Sequence, residues 1–294
     1  MTVPKVAIII LNWNGKEDTI ECLESLKHIT YPNYEILLVD NGSTDGSVEC
    51  FRERYPGMEI IENGKNLGFA EGNNVGIRRA LEKGADYVLL LNNDTVVDPE
   101  FLGELVKVGE SDERIGIVGP KVYYYDYNGR KDVIHSAGAK IYMRRGTAPP
   151  IGINEVDRGQ YDVLRQVDYL EGACMLIKRD AIHKIGLLSP EYFMYWEETD
   201  WCVRAHKAGY KTVYVPRAVV WHKIDARQTS INKVYYMTRN TFLFMKKHAT
   251  KKEYMSFLLY FFTFQFWFTS CIFVLYHRDS KGFMSFFKGI IDGL

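Results

Sequence analysis

Tyr87-Val88-Leu89-Leu90-Leu91 is an apolar run that stops abruptly on Asn92-Asn93-Asp94. Bounded by Gly84-Ala85-Asp86 before it and Asp98-Pro99 after it, the run reads as a buried parallel strand. The three polar residues then fall at the carboxyl end of the strand, where open α/β sheets hold their ligands. A lone carboxylate flanked by carboxamides offers hard oxygen atoms suited to Mg²⁺ or Mn²⁺ carrying a diphosphate. The same residues also favour an ordinary strand-to-turn corner. The rest of the chain has to decide between the two.

Similar runs precede it. Val6-Ala7-Ile8-Ile9-Ile10-Leu11 ends in Asn12-Trp13-Asn14-Gly15, and Ile36-Leu37-Leu38-Val39 ends in Asp40-Asn41-Gly42-Ser43-Thr44-Asp45. Between them Ile20, Leu23 and Leu26 have helical spacing, and Ser43 or Thr44 is placed to cap a second helix. Met58-Glu59-Ile60-Ile61 predicts a short strand. Asn66-Leu67-Gly68-Phe69-Ala70 then leads into a helix carrying Gly72, Asn73, Asn74 and Gly76. Strands alternating with helices predict an α/β fold with a mostly parallel, doubly wound sheet. No GxGxxG follows the first strand and no GxxxxGK[ST] occurs, which argues against a dinucleotide dehydrogenase or a P-loop NTPase. Asn12, Asp40 and Asp94 instead gather at the ends of separate strands, where one crevice can hold a base, a ribose and a metal-bound diphosphate.

Residues 121–166 are rich in Tyr, Gly and Arg and predict hairpins and mobile loops that recognise an acceptor. Val167 to Ile177 restores a strand signal. Next, Tyr192-Phe193-Met194-Tyr195-Trp196 runs into Glu197, Glu198 and Asp200 as a helix begins over Trp201 to Ala208. Acids in a first helical turn are favoured by the macrodipole, so plain capping accounts for them. A general base held against a hydrophobic wall accounts for them equally well. Val213–Pro216 and Val219–His222 predict two further strands. A lone histidine such as His222 after an apolar run is more often structural than a metal ligand.

At 294 residues the chain fits one large domain or one domain with an appendage. Its 37 basic and 37 acidic residues balance, so overall charge argues for no nucleic-acid partner. Five scattered cysteines without a CxxC pair fit a reducing compartment. The amino terminus lacks a basic start before a long apolar core, so no signal peptide is expected and the catalytic part is expected to face the cytoplasm. Residues 254–276 contain no charged side chain and would span about 34 Å as a helix, against about 30 Å of hydrocarbon. Lys246, Lys247, Lys251 and Lys252 precede that segment, Thr263, Gln265, Thr269 and Ser270 interrupt it, and Arg278 and Lys281 follow it. Membrane contact is the favoured reading, whether as an embedded helix or an interfacial hairpin. A soluble core or dimer helix is the alternative.

Taken together, these motifs resemble the family 2 glycosyltransferases, which have a GT-A fold, and most closely the rhamnosyltransferase-like enzymes of surface-polysaccharide synthesis. Asn12-Trp13-Asn14-Gly15, Val39 to Asp45, Asn66 to Asn73, Leu91 to Asp94, Glu171-Gly172-Ala173-Cys174-Met175 and the acidic segment before Trp201-Cys202-Val203-Arg204-Ala205 carry the likeness, which Tyr235-Tyr236 and Arg239-Asn240 continue. The resemblance implies a GT-A catalytic domain over 1–225, with a nucleotide-sugar half at 1–120 and an acceptor half at 121–225. A membrane-associated helical region would follow over 226–294. Asn12, Asp40, Asn41, Asn66, Gly68, Asn73, Asn92 and Asn93 would line the nucleotide sugar. Asp94, with Asn92 and His222, would hold Mg²⁺ or Mn²⁺, Asn92 standing where the family usually has a first acid. The usual Glu-Asp pair reads Glu197-Glu198 here, so Glu198 would be the base, with Asp200 as its competitor.

The implied activity is inverting transfer from a nucleotide-diphosphate sugar, dTDP-rhamnose or a UDP-sugar favoured, to a glycan or polyprenyl-linked acceptor at the cytoplasmic face of the membrane. Two alternatives stay open. A nucleotidyltransferase usually needs a basic, glycine-rich loop after the first strand, and Asn12 to Lys16 is poor in both. A non-catalytic sugar-nucleotide-binding subunit would not need an intact Asp94 and Glu198.

Overall fold

The computed structural model describes residues 3–224 and 230–294, and the boundary expected between 225 and 226 lies outside the described residues. The first half alternates as predicted: β1 (Val6–Asn12), α1 (Lys16–Leu26), β2 (Tyr34–Asp40), α2 (Ser47–Arg54), β3 (Glu59–Glu62), α3 (Gly68–Glu82) and β4 (Tyr87–Asn92). A short β5 (Thr95–Val97), α4 (Phe101–Glu110) and the long β6 (Ile115–Tyr124) follow. The strand order is β3-β2-β1-β4, all parallel, continued by β10 (Cys174–Lys178), β6, β11 (Lys211–His222) and β5, with β10 antiparallel to both its neighbours. The division expected at residue 120 therefore falls inside β6, and both halves share one sheet.

Strand periodicity builds two core layers. Ile8, Ile10, Leu38, Leu89 and Leu91 face α1 and α4 through Leu23, Leu26, Phe101 and Leu105. Ala7, Ile9, Val39, Val88 and Leu90 face the opposite layer, with Ile77 and Ala80 of α3 and with Trp201 and Ala205 of α6 (Glu197–Lys207). Each fully buried isoleucine or leucine contributes about 1.5–3 kcal/mol. Gly76 lets α3 sit flush on the sheet, since a Cβ there would lie 2.6 Å from Ile9. The register sets Asn12 beside Asp40 and Leu11 beside Asn92, which brings the three polar strand ends to one edge.

The tyrosine-rich stretch is more ordered than its composition predicts. β6 pairs with β7 (Val133–Ser136), β7 with β8 (Glu155–Val156), and β9 (Arg165–Gln166) with β11. Buried Lys121 pins the loop beyond β8 by ion pairs with Asp157, at 2.7 Å, and Asp162. The two strands expected around Pro216 are one strand, irregular between Val215 and Val219, as a proline inside a ladder requires. Neither Ser43 nor Thr44 caps α2. Asp45 Oδ1 takes the Ser47 N–H at 3.1 Å, while Ser43 Oγ accepts from Asn14 N at 2.9 Å.

After α5 (Arg179–Ile185), α6 and β11, the chain ends in helices. α7 (Ile231–His248) is followed by an apolar helix over Lys251–Tyr276, 26 residues long. Its ordinary turns, α8 (Lys251–Tyr260) and α9 (Phe266–Cys271), alternate with π-helical turns at Phe261–Gln265 and Ile272–Tyr276. By length and composition it could cross a membrane, and only 6% of its most apolar window is buried in the protein. α10 (Ser280–Gly293) returns along α7, where Gly289 and Gly293 admit the α7 backbone: a Cβ on them would lie 2.8 and 2.9 Å from the Tyr235 and Arg239 carbonyl oxygens.

Candidate active site

The acids expected to do chemistry open α6, and the loop before them is strained. Phe193, Tyr195 and Trp196 take φ of +64°, +66° and +76°, each a left-handed conformation that costs a side-chain-bearing residue about 1–3 kcal/mol. Asn240 of α7 stabilises that loop, its Nδ2 reaching the carbonyls of Tyr192, Met194 and Tyr195 at 2.8–2.9 Å. Arg239 donates to the carbonyls of Glu191 and Tyr192 at 2.7 and 2.9 Å. The loop in turn anchors α3, whose first N–H groups at Phe69 and Ala70 donate to the Phe193 carbonyl. Gly68, at φ +79°, passes so close that a Cβ would lie 2.5 Å from the Phe193 ring.

Glu197 and Glu198 both line a cavity of about 470 Å³. Each has a buried carboxylate oxygen, Oε2, without a hydrogen-bond partner. Burial pushes the Glu198 carboxyl up to about 7. Burial, with the neighbouring Glu198, pushes Glu197 well above the usual range. Asp200 is placed quite differently. Its wholly buried carboxylate accepts from Arg204 Nε at 2.7 Å, His248 Nε2 at 2.7 Å and Ser189 Oγ at 3.1 Å, with Lys247 Nζ 3.0 Å away. Burial raises its pKa, but the bond to His248 and the Arg204 and Lys247 charges hold it far below the usual range. A carboxylate so committed is a poor proton acceptor, and it ties α6 to the end of α7.

Asn92 and His222 belong to the same lining. His222 Nε2 lies 3.0 Å from Asp94 Oδ1 and 3.4 Å from Asn92 Nδ2. Burial favours a neutral His222, and the Asp94 carboxylate more than offsets this, so its pKa is raised. In Asp94 burial pushes the carboxyl up and the imidazole more than offsets it downward. Asp94 Oδ1 and His222 Nδ1 are buried with no hydrogen bond formed. Among the described residues no three His, Cys, Asp or Glu side chains converge as a metal cage. Asp94 and His222 thus make a two-residue polar corner. A hard divalent ion fits such a corner when substrate phosphates supply further oxygens.

On the other side of Asp94 the polar strand ends form a turn system. Asp40 Oδ1 accepts from the N–H groups of Gly42 and Ser43 at 3.0 and 2.9 Å, and its Oδ2 from Asn12 Nδ2 at 2.9 Å. Asn93 Nδ2 donates to Thr19 Oγ1 at 2.9 Å and reaches Asn12 Oδ1 at 3.3 Å. Asn41 donates to Asn66 and to the Gly68 carbonyl and accepts from Asn63 and Leu67 N–H, all within 3.0–3.2 Å. Asn73 donates to the Phe69 carbonyl at 2.9 Å. Asn41, Asn66 Oδ1 and Asn73 Nδ2 shape the entry to α3, which presents Phe69 to the cavity.

A family model, Glycosyl transferase family 2, matches residues 7–186, well over half of the chain and most of the sheet just described. The chain belongs to glycosyl transferase family 2. This glycosyltransferase is 29% identical over 218 residues to the N-acetylglucosaminyl-diphospho-decaprenol L-rhamnosyltransferase of Mycobacterium tuberculosis, covering 68% of this chain and 70% of that one. It is 23% identical over 261 residues to the dTDP-rhamnosyl transferase RfbF of Shigella flexneri, covering 82% and 79%. The mannosyltransferase PcManGT of Pyrobaculum calidifontis, solved with GDP-Man and Mn²⁺, superposes with a TM-score of 0.62 at 15% identity, covering 100% of this chain and 88% of that one. That last likeness is one of fold, and the fold is GT-A.

The site of this glycosyltransferase also includes residues that the sequence left without a role. His135 Nδ1 and Glu171 Oε2 are 2.8 Å apart in the cavity wall, and the His135 ring lies edge-on to His222 at 6.0 Å. Burial pushes the Glu171 carboxyl up and His135 more than offsets it downward. Among the described residues, Lys233, in the first turn of α7, is the only lysine or arginine in the lining of this cavity. An acid directly before Gly172-Ala173 at the head of a buried strand was the available signal for Glu171. His135 and Lys233 carry none.

Proposed function

We propose that this glycosyltransferase transfers a sugar with inversion from a nucleotide-diphosphate donor to a lipid-linked glycan at a membrane surface. The observation that carries this reading is that one cavity is lined both by Glu198, with a buried carboxylate oxygen, and by Asn92 and His222, the latter beside Asp94. With its proton affinity raised by burial, Glu198 is suited to take the proton of an acceptor hydroxyl. The oxygen then forms its bond to the anomeric carbon as the bond to the nucleoside diphosphate breaks. Lys233 faces the charge that develops on the leaving group. Asp94 and His222 would hold Mg²⁺ or Mn²⁺, which when bound offsets the charge of the diphosphate. Asp40, Asn12 and Asn93 keep the neighbouring turn in the shape that receives the nucleoside.

For the donor, dTDP-rhamnose or a UDP-sugar is favoured by the rhamnosyl-transferring relatives. For the acceptor, an N-acetylglucosaminyl-diphospho-polyprenol is favoured by the mycobacterial relative. The exposed apolar face of Lys251–Tyr276, with Phe264, Trp267, Phe268 and Leu275, supports membrane contact, and a cytoplasmic orientation of the catalytic domain fits a nucleotide donor. The test is nucleoside diphosphate release by the full chain in detergent, screened over UDP-, dTDP- and GDP-sugars with Mn²⁺, Mg²⁺ or EDTA. Release selective for one donor, dependent on metal and lost in Asp94→Ala supports the reading. Metal-independent release unaffected by that substitution refutes the assignment of Asp94.

A further inference from the structure

Beside the donor cavity lies a second one, of about 410 Å³. The two share Ala148, Tyr169, Tyr195, Glu198 and Met237, so Glu198 stands in the partition between them. The second chamber is walled by the loop around Gly146, by Thr238 and Thr241 of α7, and by Phe261 and Gln265 of the apolar helix. Gly146 seats that loop against the helix: at φ +62°, a Cβ there would lie 2.6 Å from the Phe257 ring.

The chemistry of this chamber differs from that of its neighbour. Among the described residues its lining has no lysine, arginine or histidine, so it offers a diphosphate no counter-charge there and does not read as a second donor site. It offers aromatic surface from Tyr169, Tyr195 and Trp196, together with neutral polar atoms. Trp196 Nε1 and Gln265 Oε1 are both buried without a hydrogen-bond partner. Unpaired buried polar atoms are rare in folded chains and call for an explanation, such as a ligand that completes them. Gln265 closes the first π-helical turn, Phe261–Gln265, and such turns occur frequently at functional sites.

We propose that this chamber holds the uncharged acceptor sugar, that one of its hydroxyls meets Glu198 across the partition, and that Gln265 reads the sugar through its side-chain amide. This inference rests on the reading of Glu198 as the base for transfer to an acceptor. It makes the apolar helix part of the acceptor site as well as a membrane contact. Its outward Phe262 and Phe264 lie in the same turn as Phe261 and Gln265, which face the chamber. The acceptor is thereby selected where it leaves the bilayer surface.

The test compares the full-length wild-type chain with Gln265→Met, which keeps the bulk but removes the amide, and Thr241→Phe, which puts a ring into the chamber. The probe is N-acetylglucosaminyl-diphospho-polyprenol in detergent micelles, with donor affinity measured separately by calorimetry. Gln265→Met is expected to raise the acceptor KM roughly tenfold with a smaller change in kcat. Thr241→Phe is expected to abolish transfer, with the donor Kd unchanged in both variants. An unchanged acceptor KM in both overturns the inference, as does a loss of donor binding that parallels the loss of transfer. A wild-type chain that binds donor but transfers nothing to this probe overturns the reading of function itself.

Discussion

Glu198→Gln should make the protein more stable and less active, by amounts that follow from one cause. Burial holds the Glu198 carboxyl near 7 against 4.5 in the unfolded chain. Between those values the unfolded chain has released this proton and the folded chain has kept it, so folding stability falls as pH rises through the window. The accumulated cost is about 3 kcal/mol once pH exceeds 7. Glutamine carries no charge and is nearly isosteric with the protonated acid, so the variant escapes that cost. In urea titrations of both proteins in one detergent, the stability gap in favour of Glu198→Gln should be small near pH 4.5 and grow to about 3 kcal/mol near pH 8. Turnover should fall about 10²–10⁴-fold, and wild-type kcat/KM should rise with pH up to about 7 and then level off. A gap that does not grow with pH, or a variant with near-normal turnover, would refute the assignment of Glu198 as a buried base.

Other substitutions test the surrounding parts. Asp200→Asn should destabilise by roughly 3–5 kcal/mol in urea, since Arg204, Lys247 and His248 lose their common partner, while the folded fraction keeps turning over. Normal stability with lost turnover would instead make Asp200 the base. Gly68→Ala should lower both the melting temperature and kcat, because a Cβ at φ +79° runs into Phe193 and displaces the loop that leads into Glu198; an active, equally stable variant would refute that coupling. Replacing Phe264, Trp267 and Phe268 together by serine should weaken sedimentation with anionic vesicles by at least ~10³-fold, since each exposed ring contributes about 1.5–3 kcal/mol on burial. Unchanged sedimentation would place the contact elsewhere.

The parallel half of the sheet was legible because its strands are covered on both faces and read as unbroken apolar runs from Val6, Ile36 and Tyr87. Register then made the convergence of Asn12, Asp40 and Asp94 almost unavoidable. The choice among Glu197, Glu198 and Asp200 was not legible. At about 100° per residue the three acids of one helical turn point in different directions, and only tertiary packing decides which meets the cavity and which meets His248. That partner lies 48 residues away on α7, beyond any local pattern. His135 was missed for a related reason: its strand, β7, is short, lies in a loop-like composition and pairs with Glu171 across 36 residues. Arg239-Asn240 carried a family likeness without a reason, and the carbonyls of Glu191 to Tyr195 supply one.

The same contacts make α7 the physical link between the apolar helix and the candidate site. Its amino-terminal turn supplies Lys233 to the cavity lined by Glu198 and His222, its middle supplies Arg239 and Asn240 to the strained loop, and its carboxyl end supplies Lys247 and His248 to Asp200. On its outer side, Phe242 packs edge-on against Phe257 and Phe261 of the apolar helix, at 5.2 and 4.8 Å between ring centres. Glu198 therefore opens a helix entered through a loop whose left-handed residues are held in place by α7, and α7 is packed against the exposed apolar helix. A backbone in so costly a conformation persists only while its neighbours enforce it. It follows that the C-terminal helices help to build the candidate site. Weakening the contact at Phe242, by substitution with alanine, should disturb Glu198 before it disturbs the distant nucleotide turn at Asp40.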